Sequence, residues 1–429
     1  MDVARYGKFA AEDRYLRDTT AQFYARRFVI AYPNEELPAG RPLKTTPSYA
    51  AQQALGARFG VVWGMESPQY FATNEPGFVE PPSLRRSAAD RFVAAEVAAT
   101  RSAAGLLDTG VYARYEVRGT GAEKWLDHLL ASRMPAVGRI RLAPMLNPAG
   151  RLMGDLTVTK LDDDRYWLVG SYYLQEWHQR WFHDHLPASG VEIENLSESW
   201  LGFSLSGPRS RDILAAIAEG DVSDRCLPFM GCAALDIGSL RAVVARLSLT
   251  GELGYEINVP AAQQHALWTA LMAAGAPYGM RPIGMRAQDS LRLEKAYGVW
   301  SLEFSTSCTP AMAGLERFVA IDKGDFIGRD AVLAAQGEPP PVKLVLLQID
   351  SPEADATGYE PIHHGGRRIG YVTSGAYGHH VRQSLALAYV DTDICETRDP
   401  LSVTIIGKPR SARILPAPPY DPGGMRLRG

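Results

Sequence analysis

Cysteine is scarce in this sequence, and the spacing of the few cysteines excludes the commonest cysteine-based sites. The four cysteines are Cys226, Cys232, Cys308 and Cys395. They form no C-x-x-C pair and have no nearby histidine at ligand spacing, which argues against a zinc site. The histidine pairs at 363–364 and 379–380 are adjacent in sequence and would point to opposite faces of a strand, so they do not chelate easily. We therefore expect reduced, structural cysteines and no bound metal.

Long apolar runs and a strong net charge are also absent. No stretch reaches the ~18 consecutive apolar residues of a membrane span, and the first residues lack the apolar core of a signal peptide. A formal net charge of −3 gives no electrostatic case for nucleic acid or an anionic membrane. We expect a cytoplasmic protein that binds neither.

Nucleotide-binding loops are missing as well. Residues 119–124 (GTGAEK) contain G-x-G without the third glycine, and no Walker sequence occurs. Neither a bound dinucleotide nor ATP is supported by this pattern.

At 429 residues the chain is too long for one ordinary core. Its residue pattern changes near residue 86 and again near residue 341. Residues 1–85 are rich in aromatics and punctuated by proline, with one helix predicted within 12–29 and extended chain for the remainder. The aromatic residues Trp63, Tyr70 and Phe71 either pack on their own domain or form a docking surface for a partner. The sequence leaves both interpretations open.

Residues 86–340 alternate between helical and strand patterns and predict an α+β or mixed domain. A helix is expected over 86–107 and another over 281–296, where proline stands near the start. Residues 341–429 hold short β runs joined by turn signals, including the glycine pair 365–366, which suits a tight hairpin. We expect a small β-barrel there, followed by a loose polar tail over 416–429.

One stretch, residues 145–160 (MLNPAGRLMGDLTVTK), predicts a hairpin with an acid just past its turn. Asn147, Pro148 and Gly150 fit a type I turn, and alternating apolar residues predict the strand that follows. Asp155 lies on the face opposite the apolar residues, so it points either to solvent or into a pocket. Taken alone, this pattern favours solvent.

Four segments in order resemble the glycine-cleavage T-protein (aminomethyltransferase) family. They are residues 145–158 (MLNPAGRLMGDLTV), 248–257 (SLTGELGYEI), 289–295 (DSLRLEK) and 321–329 (IDKGDFIGR). Residues 372–375 (VTSG) and 385–388 (LALA) resemble the C-terminal barrel of that family. The resemblance implies an α+β, T-protein-like folate-binding fold over 86–340 and a small barrel over 341–429.

The segment before this fold resembles a narrower group. Residues 32–36 (YPNEE), 39–42 (AGRP), 63–66 (WGME) and 70–72 (YFA) are similar to the linker of dimethylglycine and sarcosine dehydrogenases. In those enzymes a flavin domain oxidises an N-methyl group, and the folate domain captures the carbon. No flavin domain is recognisable here, so the chain resembles the folate half, with residues 1–85 as linker or docking segment.

The resemblance also implies the site. Tetrahydrofolate is the expected cofactor, Asp155 matches the catalytic aspartate, and Glu256 matches the pterin-binding position, with its neighbour Glu252 left open. Arg286 is a candidate for the folate glutamate tail. Further cofactor contacts are expected from Tyr172 and from Met145, which opens the first motif.

Departures from the T-protein pattern occur at Gly154, Leu249 and Gln288, and they favour the dehydrogenase branch. The leading hypothesis is a tetrahydrofolate-dependent one-carbon (methyl or methylene) transferase that demethylates a small cationic metabolite. An N-methylated donor is favoured over an S- or O-methylated one. Two others stay open: the folate subunit of a split dehydrogenase with a flavoprotein partner, and a non-catalytic folate-binding protein.

Overall fold

A computed structural model describes residues 7–429 of the chain. The helices are α1 (Asp13–Ala25), α2 (Tyr49–Ala54), α3 (Asp90–Ser102), α4 (Ala122–Leu129), α5 (Gln175–Asp184), α6 (Ser210–Ala215), α7 (Gln264–Gly275), α8 (Met285–Leu293), α9 (Pro310–Ala313), α10 (Arg329–Ala334) and α11 (Met425–Arg428). Within this described part, no helix is both long enough and apolar enough to cross a membrane.

The strands form a hairpin, two large sheets and a barrel. Before the barrel they are β1 (Ala57–Val62), β2 (Met65–Phe71), β3 (Gly105–Asp108), β4 (Tyr112–Arg118), β5 (Arg139–Leu146), β6 (Leu152–Asp162), β7 (Arg165–Ser171), β8 (Glu192–Asn195), β9 (Trp200–Ser206), β10 (Ala218–Glu219), β11 (Cys232–Ile237), β12 (Leu240–Ala245), β13 (Gly254–Pro260) and β14 (Arg281–Ile283). The barrel strands are β15 (Val342–Ile349), β16 (Pro361–His364), β17 (Arg367–Gly378), β18 (Gln383–Asp391), β19 (Leu401–Ile405) and β20 (Lys408–Leu415).

Each large sheet buries one face against helices. The five-stranded sheet runs β5-β6-β7-β4-β8, and its apolar face, including Leu156 and Val158, packs on α4 and α5. The seven-stranded sheet runs β10-β11-β12-β13-β9-β3-β14, and its apolar face, including Tyr255 and Ile257, packs on α6 and α7. Because side chains alternate along a strand, the opposite faces carry the polar residues of the same strands.

The predicted barrel is confirmed. Strands β15-β18-β17-β16-β19-β20 close on themselves around an apolar interior. The glycine pair forms the predicted β16–β17 hairpin: Gly365 and Gly366 have φ of 54° and 81°, which a glycine adopts without a steric penalty.

Several element predictions were wrong at their ends. The helix expected over 86–107 is α3 followed by the buried strand β3, and the helix expected over 281–296 begins as β14, which pairs in parallel with β3. Both short strands are completed by partners distant in sequence, which no local pattern reveals.

The N-terminal segment is more ordered than predicted. The helix expected within 12–29 is present as α1, but β1 and β2 form a hairpin that the sequence did not indicate. Tyr70 and Phe71 are 2% and 4% exposed, so these two aromatics pack on their own chain.

The tail is not loose. Tyr420 is 7% exposed, and the guanidinium of Arg101 lies 3.6 Å from its ring centroid. The Tyr420 backbone N–H donates to the carbonyl of Glu294 at 3.2 Å, which fixes the tail on the end of α8. The prediction of a loose tail was therefore wrong at this residue.

Candidate functional site

Asp155 stands on β6, three residues past the start of the strand. The turn before it forms as predicted: Gly150 donates its N–H to Asn147 O at 2.9 Å, and the Asn147 side chain accepts from the N–H groups of Ala149 and Arg151, each at 3.0 Å. Since Leu156 belongs to the apolar face of the five-stranded sheet, Asp155 points to the other face.

That other face is turned toward the seven-stranded sheet. Arg114 on β4 donates from Nε to Oδ1 of Asn258 on β13 at 2.9 Å. Trp167 on β7 contacts Trp200 at the start of β9, with ring centroids 4.9 Å apart. These contacts place the polar faces of the two sheets opposite each other, and we call the region between these faces the gap.

Glu256 lies on β13 two residues before Asn258, so it faces the same gap. On the opposite sheet, Tyr112 occupies the same face of β4 as Arg114. Helix α8 adjoins this pair, because Gln288 donates from Nε2 to the Tyr112 hydroxyl at 3.5 Å. Burial, with a further contribution from Glu256, raises the pKa of Tyr112.

Strand register brings Asp155 toward this group. Tyr112 pairs with Ser171 on β7, and Thr157 on β6 pairs with Val169 on β7. Two residues further along the same antiparallel register, Asp155 aligns with Ser171 and therefore with Tyr112. The structure thus directs both predicted carboxylates, Asp155 and Glu256, into one gap between the sheets.

The electrostatics of the two acids are alike. Burial raises the pKa of Asp155 to about 7, opposed by its own backbone N–H. Burial also raises the pKa of Glu256 to about 7, opposed by the positive charge of Arg114. Among residues 7–429, neither carboxylate forms an ion pair or a hydrogen bond with another residue's side chain. Two unpaired, partly protonated acids can bind N–H donors and exchange protons near neutral pH.

Tyr172 is a fixed part of the wall beside this gap. Its hydroxyl donates to Glu198 Oε1 at 3.0 Å, and the ammonium of Lys44 lies 5.8 Å from its ring centroid. The next residue, Tyr173, is close enough to Asp155 for the carboxylate to contribute to its raised pKa of about 12, of which burial is the main cause. The ring of Trp63 lies 6.4 Å from that of Tyr173.

Glu252 does not share the environment of Glu256. It is 1% exposed, its Oε1 lies 3.1 Å from Nη1 of Arg101, and it also accepts from the Tyr420 hydroxyl. Both contacts belong to the network that holds the tail. This placement favours Glu256 over Glu252 for ligand binding, because the Glu252 carboxylate is already paired.

Met145 and Arg286 also lie away from the gap. Met145 is fully buried in the apolar core under the five-stranded sheet, on the face opposite Asp155, so the expectation that it contacts the cofactor does not fit its position. Arg286 pairs with Glu80 at 2.7 Å. It lines a cavity of about 290 Å³ between α8, the barrel and the segment 83–87, not the gap between the sheets.

The sequence alone missed Arg114, Tyr112 and Asn258. The one available signal was the alternation in residues 112–117 (YARYEV), which predicts a strand with one polar face. His178 was also missed: it is fully buried beneath Gly154, its Nδ1 lies 3.1 Å from the Tyr115 hydroxyl, and burial lowers its pKa to about 3. Nothing in its helical surroundings distinguishes it from a surface histidine.

Comparison with known proteins places the chain in a family. Residues 48–323 match the GCVT N-terminal domain, and residues 343–421 match the glycine cleavage T-protein C-terminal barrel domain. Residues 1–46 match the FAD dependent oxidoreductase central domain.

Full-length relatives agree with these matches. The chain is 30% identical to mitochondrial dimethylglycine dehydrogenase of Homo sapiens, over 97% of this chain and 48% of that protein. It therefore spans about half the length of that relative. It is 31% identical to the aminomethyltransferase of Saccharopolyspora erythraea, over 88% of this chain and 98% of that protein.

A solved structure shares the fold. The glycine cleavage system aminomethyltransferase T from Bartonella henselae superposes with a TM-score of 0.77 at 24% identity, over 89% of this chain and 99% of that one. With two family domains covering most of its length and an aminomethyltransferase matched end to end, the chain belongs to the glycine-cleavage T-protein (aminomethyltransferase) family.

Proposed function

We propose that this protein is a tetrahydrofolate-dependent one-carbon transferase that demethylates a small, cationic N-methylated metabolite. The observation that carries the proposal is the pair Asp155 and Glu256. Both are unpaired by other side chains, both have a pKa of about 7, and they reach one gap from two facing sheets.

Glu256 suits the recognition of a reduced pterin. Such a ring presents several N–H donors along one edge, and a carboxylate offers two acceptor oxygens to them. The Glu256 residue is partly exposed and its carboxylate has no side-chain partner, and the charge of Arg114 favours its ionised form. The surroundings of Glu256 therefore fit tetrahydrofolate, which would supply the amine nitrogens that take up the carbon.

Asp155 suits the proton transfer and the positive charge of the donor. An amine that bonds to the incoming carbon must release a proton, and a carboxylate with a pKa near neutrality accepts it with little cost. The same carboxylate attracts a cationic donor into a site where low polarity strengthens the attraction. Asp155 is therefore assigned as the base and as the anchor for the donor cation.

A second candidate function rests on the N-terminal match. Residues 1–46 resemble an FAD-dependent oxidoreductase domain, and the human relative is a dimethylglycine dehydrogenase. On this account the donor reaches Asp155 as an iminium made by a flavoprotein, and the chain acts as its folate subunit. The two candidates share the site and differ in the oxidation state of the carbon.

The experiment is a product assay. Purified protein is incubated with tetrahydrofolate and a panel of N-methylated amines and betaines, with and without an amine-oxidising flavoprotein, and the folates are separated by mass. Methyl-tetrahydrofolate without the flavoprotein supports the first candidate, and methylene-tetrahydrofolate only with it supports the second. Folate binding without any product across the panel would contradict both and leave a binding protein.

A further inference from the structure

The outer surface of the N-terminal helix is unusually apolar. Helix α1 has no buried residue, and it is held from its inner side, where Gln22 Oε1 accepts the N–H of Ala39 at 3.1 Å. The outward side chains at its C-terminal end, and those of the turn after it, are large and apolar. We call them the α1 patch: Phe23, Tyr24, Phe28, Val29 and Ile30, which are 54–93% exposed.

A contiguous apolar patch of this kind is rare on the surface of a monomeric protein. Contiguous exposed aromatic and branched side chains mark interaction surfaces, and aromatics are enriched at the centres of interfaces. A basic side chain adjoins the patch, because the guanidinium of Arg27 lies 5.5 Å from the ring centroid of Phe28. The surface is thus an apolar patch with a cation at its edge.

We propose that the α1 patch docks an FAD-dependent oxidoreductase through a complementary apolar surface. This inference rests on the second candidate function, in which a flavoprotein supplies the iminium, and it locates the surface that binds this flavoprotein. One observation selects this occupant over a second copy of the chain. The patch falls within residues 1–46, which match the FAD dependent oxidoreductase central domain.

The position of α1 relative to the site fits a partner that supplies the donor. Aromatic rings connect the inner face of α1 to the surroundings of Asp155. Tyr15 contacts Phe9 at 5.7 Å, Phe9 contacts Trp63 at 5.5 Å, and Trp63 contacts Tyr173 at 6.4 Å. The charge of the Asp155 carboxylate in turn contributes to the raised pKa of Tyr173. A row of packed aromatic rings therefore links helix α1 to the surroundings of Asp155.

The first test is site-specific cross-linking with the whole 429-residue chain. A photo-cross-linking amino acid replaces Phe28, the most exposed member of the patch, and the protein is expressed in cells of its own source and irradiated. The control carries the same amino acid at Tyr359, which is 84% exposed on the far barrel. We expect a cross-linked partner that contains FAD from position 28 and none from position 359. A second copy of the chain, a partner without flavin, or no adduct would overturn the proposal.

The second test separates docking from folate chemistry. The double variant Phe23→Ser, Phe28→Ser is expected to weaken binding of the captured flavoprotein by at least ~10-fold, as for loss of central interface aromatics. Tetrahydrofolate binding, and transfer from a chemically generated iminium of formaldehyde and dimethylamine, should be unchanged. Unchanged flavoprotein affinity would overturn docking at this patch. An unmodified protein that transfers no carbon from this iminium would instead overturn the second candidate function.

Discussion

Asp155 and Glu256 have similarly raised pKa values for the same reason, because each carboxylate is partly desolvated and has no cationic partner in contact. Arg114 is the nearest counter-charge to Glu256, but it is saturated by Asn258 Oδ1 and by the backbone of Thr109 and Tyr112. Its charge reaches Glu256 through space only. A ligand that brings N–H donors or positive charge therefore gains more from these acids than from paired surface carboxylates.

The raised pKa of Asp155 predicts a specific pH dependence of stability. In the unfolded chain Asp155 ionises near its usual value of 3.8, whereas in the folded protein it keeps its proton up to about 7. The folded state then binds more protons in this window, so this residue lowers stability as pH rises from 3.8 to about 7. The Asp155→Asn variant has no carboxylate at this position, so it should not lose this stability as pH rises. We expect its melting temperature to match the unmodified protein near pH 4 and to exceed it by ~2 °C or more near pH 8.

The control for that experiment is Asp162→Asn, at the exposed end of the same strand. Its melting temperature should follow the unmodified protein at every pH. A difference between Asp155→Asn and the unmodified protein that is constant across the pH range would contradict the raised pKa.

Mutation should distinguish the role of Glu256 from that of its neighbour Glu252. Glu256→Gln removes a charged acceptor from the gap, and charge-assisted hydrogen bonds contribute about 1.5–3 kcal/mol, so tetrahydrofolate affinity should fall by roughly 10- to 150-fold with the fold intact. Glu252→Gln should instead lower the free energy of unfolding by ~3 kcal/mol, because it breaks the buried pair with Arg101. Calorimetric titration and urea unfolding measure the two effects. If Glu252→Gln instead lowered the tetrahydrofolate affinity and Glu256→Gln lowered the stability, Glu252 would be the residue that binds tetrahydrofolate.

For single residues, the sequence predicted Asp155 and Glu256 as the candidate acids, but it did not predict what surrounds them. Alternation around the turn was enough to place Asp155 opposite Leu156, and the motif selected Glu256. Whether an outward acid meets water or a second sheet depends on contacts such as Arg114 to Asn258, which join residues 144 positions apart. Local pattern holds no information about such a contact.

Among the elements, β6 does most to fix the site, and its close packing follows from Gly154. A Cβ at this position would lie 3.0 Å from His178 Nε2 and 3.3 Å from the Met145 methyl group. His178 is held in turn by the Tyr115 hydroxyl at 3.1 Å, so it has little freedom to move. The glycine therefore lets a neutral histidine support the strand directly behind Asp155.

Gly154→Ala should consequently destabilise the protein by about 1–3 kcal/mol, as expected for overpacking a filled core. One-carbon transfer should fall as well, because β6 must shift and carries Asp155 with it. Gly77→Ala is the matched control, since a Cβ there meets nothing within 4 Å. Equal urea midpoints for the two variants would contradict the tight contact.

The β1–β2 hairpin shows why one element escaped prediction. Its two-residue turn is Trp63-Gly64, with φ of 53° and 80°. Turn rules look for asparagine, aspartate or glycine at both positions, and tryptophan is disfavoured at positive φ. Packing of Trp63 against Phe9 and Tyr173 accompanies this conformation, so tertiary contacts prevail over local preference.

Over the whole molecule, the C-terminal tail ties the barrel to the two-sheet region that precedes it. Tyr420 inserts between Arg101 of α3 and Glu294 at the end of α8, and Lys295 binds Asp421 of the tail. The sequence of residues 416–429 is rich in proline and glycine, which is typical of a loose end. A single aromatic in that setting gave no sign of its burial, because its binding site is formed by residues far away in the chain.

Tyr420→Ala is therefore expected to lower the free energy of unfolding by about 3–5 kcal/mol, the usual cost of truncating a buried aromatic. The control is Met425→Ala in the same tail, where the side chain is 71% exposed and little change is expected. Thermal unfolding of both variants decides the point. Identical behaviour would show that the tail is detached in solution.

The central claim is that Asp155 performs one-carbon chemistry in a folate site between the sheets, and one measurement tests it most directly. The rate of one-carbon transfer to tetrahydrofolate is compared for the unmodified protein, Asp155→Asn and Asp162→Asn, with the affinity for tetrahydrofolate measured on the same samples. We predict that Asp155→Asn lowers the rate by ~10²–10⁴-fold, the usual contribution of a general base, while tetrahydrofolate still binds. Unchanged turnover in Asp155→Asn would contradict the account.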